Sequence, residues 1–182
     1  PAIEGTVGDS DIYVIRGTEN TTAVVRAEDI DTYASAWDMK PARMAALTGS
    51  AQLEVGETSM GCYLNSYATV AELTGLLKSC EKDVILLSYA QAVEAVAADP
   101  TLAISPAEVE RVPKVLIIGG THPNEPAGQL AATIFLENAH VERGILYVIN
   151  ELNKCAVPAY LTCNPNGPIN YSLSYGSGCG CG

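Results

Sequence analysis

The sequence predicts an α/β protein that contains a parallel pair of strands. Short apolar, β-branched runs alternate with segments of helical apolar spacing along most of the 182 residues. The clearest series is a strand, a helix and a strand over residues 114–150, a length typical of a βαβ unit. Hydrophobic residues make up 48% of the chain, so a sizeable core can form.

The first part of the chain shows strand patterns and then a helical pattern. Residues 11–17 and 21–27 are short β-branched runs between turn residues, and each predicts a strand. Residues 28–49 have helical apolar spacing, which Pro41 should interrupt and Gly49 should end.

Further elements follow in chain order up to residue 113. The patterns predict a strand or loop over 50–58, a helix over 66–82, a strand over 83–90, a helix over 90–100 and a connector over 101–113. Ser66 or Thr69 is the expected N-cap of the helix over 66–82. Pro100 ends the helix before it.

The βαβ pattern is the most regular part of the chain. Residues 114–120 form a continuous apolar run, which is typical of a strand buried on both faces. Residues 126–139 predict a helix, and residues 143–150 predict a second apolar strand. The apolar residues expected on the core side of this helix are Leu130, Ile134 and Leu136.

The charge of the chain disfavours some classes of partner. A net charge of −11 disfavours nucleic acid and anionic membrane surfaces, which both attract clustered Lys and Arg. No apolar run reaches the roughly 20 residues that span a bilayer.

The sequence predicts three regions. They are an N-terminal α/β region over 1–110, the βαβ unit over 111–155 and a loop-rich tail over 156–182.

Two features of the sequence concern its cellular location and processing, namely its cysteines and its first residue. Six cysteines, at positions 62, 80, 155, 163, 179 and 181, include no CxxC pair and specify no disulfide framework. The chain begins with Pro rather than Met, so we expect it to be processed, a fragment, or cut from a larger reading frame. We therefore expect an exported, processed protein rather than a cytoplasmic one.

His122 and Glu125 follow the strand over 114–120 and precede a helix. Ligands of parallel α/β sheets bind outside the carboxyl ends of the strands, which is where both residues are expected. Imidazole and carboxylate are both good zinc ligands, and Gly119 and Gly120 would let the backbone approach a metal or substrate. The alternative is a loop histidine bonded to backbone and a glutamate that complements the helix dipole.

The segment "GGTHPNEPAG" resembles the metal-binding segment of the succinylglutamate desuccinylase and aspartoacylase family, within the zinc carboxypeptidase superfamily. The similarity extends over residues 114–150. It implies a mixed, mostly parallel sheet flanked by helices, with His122 and Glu125 as the first two ligands of Zn²⁺. It also implies hydrolysis of an amide bond, with zinc polarising the carbonyl and activating water.

Other parts of that family's site are not recognisable after residue 150. His140 should lie about 20 Å from the zinc at the far end of the helix, so it is not a third ligand. Asn150, Glu151 and Asn153 are expected at the same sheet edge as His122, and Glu151 is the candidate catalytic carboxylate.

The leading hypothesis is a zinc-dependent amide hydrolase-type domain, a deacylase or carboxypeptidase-like module with an incomplete site. Its substrate would be a small N-acyl amino acid or a peptide. Three alternatives remain open: a non-catalytic binding or assembly module, the N-terminal part of a longer or two-chain enzyme, and an α/β protein with another small-molecule site at the same edge. A second chain or a homo-oligomer would supply the missing groups.

Overall fold

The protein is a mixed α/β protein, as predicted. The computed structural model describes residues 1–121 and 126–152. The strands in these residues are β1 (Ala2–Val7), β2 (Ser10–Arg16), β3 (Thr21–Arg26), β4 (Met44–Leu47), β5 (Leu64–Tyr67), β6 (Val84–Ser88), β7 (Leu102–Ile104), β8 (Lys114–Ile118) and β9 (Ile145–Ile149). The helices are α1 (Ala51–Thr58), α2 (Val70–Lys78), α3 (Tyr89–Ala98) and α4 (Pro126–Asn138).

The chain divides into two compact units. Unit 1 consists of residues 1–15, 114–141 and, within the described part, 145–152. Unit 2 consists of residues 16–113 and 142–144. Unit 2 is therefore inserted into the sequence of unit 1. This division differs from the three regions suggested by the sequence, because the first two strands join the sheet that contains β8 and β9.

Unit 1 contains a four-stranded sheet in the order β1-β2-β9-β8. β1 and β2 are antiparallel, while β8 and β9 are parallel, with Lys114 opposite Ile145 and Ile118 opposite Ile149. α4 connects the two parallel strands. The predicted βαβ unit is thus confirmed.

The burial expected for this unit is wrong in two respects. β8 lies at the edge of the sheet, and Val115, Leu116 and Ile118 are 54%, 55% and 45% exposed. On α4, Leu136 is buried as expected, but Leu130 and Ile134 are exposed. Periodicity identified the helix but not its buried side, since Ala132 joins Leu136 in the core.

Unit 2 contains a five-stranded sheet in the order β5-β4-β6-β3-β7. β4 is parallel to both β5 and β6, whereas β3 is antiparallel to β6 and β7. Alternate strand residues enter two separate cores, since Ala46 packs on the side of α1 and Ala45 packs on the side of α2 and α3. The sheet is therefore covered on both faces, which explains the continuous burial of β6.

The helix predicted over residues 28–49 is wrong. Residues Ala27–Asp29 form a single 3₁₀ turn, and the end of the segment is β4, between β5 and β6. Ala, Met and Leu are helix formers, but parallel pairing on both sides buries Met44 and Ala45 completely or almost so. Pairing with β5 and β6 therefore determines that the end of this segment forms a strand.

The strand or loop predicted over residues 50–58 is also wrong, because these residues form α1. Ser50 has extended dihedral angles and its hydroxyl accepts a hydrogen bond from the backbone N–H of Leu53. That is an N-cap. Val55 and Gly56 lie on the buried side.

The remaining helices of unit 2 form where the sequence predicts them. Thr69 caps α2, and Glu72 reaches back to complete a capping box. Ser88 and Gln91 form the equivalent box at the start of α3. Leu73 and Leu77, four residues apart, are fully buried.

Candidate functional site

The two predicted metal ligands, His122 and Glu125, lie outside the described residues, as does Asn153. Their role as zinc ligands stays a prediction. His140 is exposed just after α4, in keeping with a residue that follows the helix. Glu151 is half-buried at the end of β9, and its backbone oxygen accepts a hydrogen bond from the Ser10 hydroxyl. A catalytic role for Glu151 also stays a prediction.

Gly119 and Gly120 make close contacts within unit 1. A Cβ at Gly119 would lie 2.6 Å from the Ala132 Cβ and 2.6 Å from the Gly128 carbonyl oxygen. A Cβ at Gly120, which has φ +63°, would lie 2.9 Å from the Glu151 Cα. Packing of α4 and of the chain after β9 therefore accounts for both glycines without a metal or substrate.

Within residues 1–121 and 126–152, no three or more His, Cys, Asp and Glu side chains are grouped to hold a metal ion. None of the helices in these ranges is long and apolar enough to cross a membrane.

The carboxyl edge of the sheet in unit 2 has the geometry of a doubly wound fold. From β4 the chain passes through α1 to β5 on one side, and α2 then leads to β6 on the other side. The strand order thus reverses at β4. In open α/β sheets the crevice at such a point, outside the carboxyl ends of the strands, is where ligands bind.

The turn Thr48–Gly49–Ser50 connects β4 to α1 at this point. Gly49 has φ +72°, a conformation that favours glycine, and no atom lies within 4 Å of where its Cβ would be. Among the described residues, no acceptor pairs with the backbone N–H groups of Ala51 and Gln52, the first two residues of α1. Unpaired amides and the helix dipole make such a turn favourable for an anion.

The starts of the neighbouring helices are occupied by other groups. At α2, the Glu72 carboxylate accepts hydrogen bonds from the N–H groups of Ala68 and Thr69, which places a negative charge there. At α3, the N–H groups of Tyr89 and Ala90 donate to the carbonyl oxygens of Asn20 and Thr18. The first two amides of α3 are thus paired, and the start of α2 holds a bound carboxylate, whereas at α1, within the described residues, the only acidic residue of the first turn, Glu54, makes no hydrogen bond to the cap amides.

The loop before β3 lies next to α1 and α3. The Gln52 side chain is buried, and its Nε2 lies 3.4 Å from the Glu19 carbonyl oxygen. Residues 18–20 also accept the two hydrogen bonds from α3. Glu19 is exposed, and its backbone lies beside the first turn of α1 through the contact with Gln52.

Two polar contacts hold this loop and β3 in place. Asn20 donates from Nδ2 to the Gly144 carbonyl oxygen and accepts at Oδ1 from the Gly144 N–H, each at 2.8 Å. The Glu110 carboxylate accepts from the N–H of Thr21 at 2.9 Å and from Nη2 of Arg143 at 2.8 Å. Arg143 thus forms an ion pair with Glu110.

Solved structures similar to this chain include amino-acid-binding proteins. One is an amino acid ABC transporter substrate-binding protein from Streptococcus pneumoniae Canada MDR_19A bound to L-arginine, with 17% identity and a TM-score of 0.49 over 52% of this chain and 40% of that chain. Another is the P235GK mutant of ArgBP from T. maritima, with 20% identity and a TM-score of 0.46 over 55% of this chain and 44% of that chain.

A third similar structure is the GluR0 ligand-binding core in complex with L-glutamate, with 10% identity and a TM-score of 0.47 over 56% of this chain and 47% of that chain. The chain thus spans less than half the length of each of these proteins. No protein-family model matches the chain, and no curated protein matches it significantly.

The architecture contradicts the resemblance to the desuccinylase and aspartoacylase family. That resemblance implies one mixed, mostly parallel sheet, whereas the described residues form two separate sheets. The zinc hydrolase, deacylase and carboxypeptidase hypothesis is therefore wrong.

Sequence reasoning missed the turn after β4. The sequence does contain a signal for it. The apolar run is typical of a strand, Gly49 is typical of a turn, and Ser50 is a typical N-cap residue at a helix start. The apolar spacing of residues 28–49 also suits a helix, so this pattern did not reveal the strand and the turn.

Proposed function

We propose that the chain is a non-catalytic module that binds a free amino acid at the carboxyl edge of the sheet in unit 2. The observation that carries this proposal is the open start of α1 at the point where the strand order reverses. The groups at this edge are backbone amides, hydroxyls, a carboxamide and one exposed carboxylate. They suit reversible recognition of a small polar molecule.

The ligand's two charges have complementary groups in this proposal. Its carboxylate accepts hydrogen bonds from the N–H groups of Ala51 and Gln52. Its ammonium group, or a cationic side chain, faces the exposed carboxylate of Glu19, on the loop that Gln52 contacts. A zwitterion with both charges should therefore bind better than a simple carboxylate.

The first probes are L-arginine and L-glutamate, the ligands named for the similar structures. Two of those structures are binding proteins, one of them from an ABC transporter, which is compatible with an exported location for this chain. The export of this chain remains part of the proposal.

The test is isothermal titration of the purified chain with each amino acid, beside the variant Ala51→Pro. Proline is tolerated at the first position of a helix, and Ser50 already has the extended conformation that proline requires before it. The substitution removes one amide donor, and we expect Kd to rise roughly tenfold.

The matched control is Val70→Pro, at the first position of α2, where Thr69 is also extended. It should leave Kd unchanged. The proposal is wrong if neither amino acid binds the unmodified chain, or if the two proline variants weaken binding equally.

A further inference from the structure

A groove on unit 2 of about 500 Å³ is bordered by none of the residues proposed above to bind the amino acid. It lies between the segment before β4, the end of α1 and residues 108–111. Its floor includes Met60 and Val109, which are 6% and 4% exposed and belong to the core on the α1 side of the sheet. The floor is therefore apolar and fixed by the core.

Trp37, the single tryptophan of the chain, borders this groove. Its side chain is 74% exposed, although the Lys40 Nζ lies 4.4 Å from the ring centroid. Tryptophan is among the residues with most apolar surface to bury, so an indole left this open beside a groove is available for stacking.

The charges around the groove favour an anion. Lys40 and Arg111 both border it, and both side chains are exposed. The carboxylate of Glu110 is 6% exposed and already accepts from Arg143 and Thr21, so it is not free to pair with a cation in the groove. Glu108 is the remaining acidic residue on the border.

We propose that this groove is a second small-molecule site, which binds an aromatic carboxylate. The aromatic ring stacks on the indole of Trp37 over the apolar floor, and the carboxylate pairs with the Arg111 guanidinium beside the Lys40 ammonium. The two cations disfavour an aromatic amine. This site does not depend on amino-acid binding at the start of α1.

The test uses three probes of similar size: benzoate, cyclohexanecarboxylate and benzylamine. Binding is followed by quenching of tryptophan fluorescence, which reports on Trp37 alone, and by isothermal titration. Benzoate should bind and quench, cyclohexanecarboxylate should bind more weakly, and benzylamine should not bind. Failure of benzoate to bind, or equal binding of benzoate and cyclohexanecarboxylate, overturns the proposal.

Variants then separate the ring from the charge. Arg111→Gln should raise the Kd of benzoate roughly tenfold, which is the effect of losing one charge-assisted hydrogen bond. Lys78→Gln, a change to a lysine that pairs with Asp99 away from the groove, should have no effect.

For the ring, Trp37→Ala should abolish binding measured by titration. Tyr63→Ala, which removes an 84% exposed aromatic residue that does not border the groove, should leave it intact. Equal losses in both aromatic variants, or an unchanged Kd in Arg111→Gln, would mean that benzoate binds nonspecifically.

Discussion

Arg43 holds the carboxylate of Asp83 with two hydrogen bonds, from Nη2 to Oδ1 at 2.6 Å and from Nε to Oδ2 at 2.9 Å. The Arg26 Nη2 lies 3.6 Å from the same Oδ1. Because these residues adjoin β4, β6 and β3, the three groups connect the central strands of unit 2 at one edge. Hydrogen bonds from Arg43 lower the pKa of Asp83 from 3.8 to about 2.

The first prediction concerns acid stability. A carboxyl whose pKa is lower in the folded state stabilises the protein above its unfolded pKa, and this contribution is lost as pH falls from about 4 to about 2. Asp83→Asn should lower the free energy of unfolding by about 1–3 kcal/mol at neutral pH and flatten its decline in that acid range. Urea denaturation across the pH range measures both.

The control for this prediction is Asp31→Asn, at an exposed position. It should change stability by less than about 0.5 kcal/mol. If Asp83→Asn shows the same acid dependence as the unmodified protein, the ion pair does not contribute as the geometry suggests.

The second prediction compares two helical glycines. A Cβ at Gly56 in α1 would lie 2.7 Å from both Leu64 methyl carbons and 3.0 Å from the Leu86 Cδ1. Leu64 is 4% exposed, so it has little room to move. Gly56→Ala should therefore destabilise unit 2 by about 1–2 kcal/mol despite the better helix propensity of alanine.

Gly75 in α2 is the matched position, with no atom within 4 Å of its would-be Cβ. Gly75→Ala should stabilise the protein by about 0.5–1 kcal/mol. Thermal denaturation of both variants tests the pair, and the same sign of change in both would contradict this packing of α1 on the sheet.

The third prediction concerns Asn20, which is 7% exposed and forms two hydrogen bonds with Gly144. Asn20→Ala leaves the N–H of Gly144 without its partner, whereas the carbonyl oxygen of Gly144 still accepts from the N–H of Gly17 at 2.8 Å. One unpaired buried donor should lower stability by about 1–3 kcal/mol.

Hydrogen exchange gives the specific readout for Asn20→Ala. The Gly144 amide should lose protection more than the amides of β6. Asn138→Ala, which removes an exposed side-chain hydrogen bond in α4, is the control and should cost less than about 0.5 kcal/mol. Unaltered protection of Gly144 would argue against the paired geometry.

The fourth prediction concerns Cys80, a non-glycine residue with φ 57°. It ends α2 in a Schellman motif, because its N–H donates to the Leu77 carbonyl oxygen and the Glu81 N–H donates to the Leu76 carbonyl oxygen. Glycine adopts this conformation without a Cβ penalty, so Cys80→Gly should stabilise the protein by about 0.5–1 kcal/mol.

A β-branched residue at the same position should act in the opposite direction. Cys80→Val should destabilise the protein by about 1 kcal/mol or more, because its Cβ is more crowded in the left-handed region. Denaturant unfolding of the two variants measures the free energy of unfolding of each. If the valine variant is the more stable of the two, the left-handed end of α2 is incorrect.

The sequence by itself determined the elements whose signals are local. Thr69 and Glu72 mark the start of α2 through a capping box, and the β-branched runs around β2 and β3 predict strands that do form. The βαβ unit of β8, α4 and β9 follows from its apolar periodicity. These patterns depend on neighbours only a few residues away, so one sequence suffices to read them.

Only the tertiary structure decided the rest. β4 is built from helix-forming residues and is a strand because β5 and β6 pair with it on both sides. Leu130 and Ile134 are exposed on α4, although their spacing suits a buried face. The start of α1 lies at the point where the strand order reverses, because β5 and β6 pair on opposite sides of β4, a relationship between elements distant in the chain. Local propensity amounts to tenths of a kcal/mol per residue, whereas burial and pairing of a central strand contribute several times more.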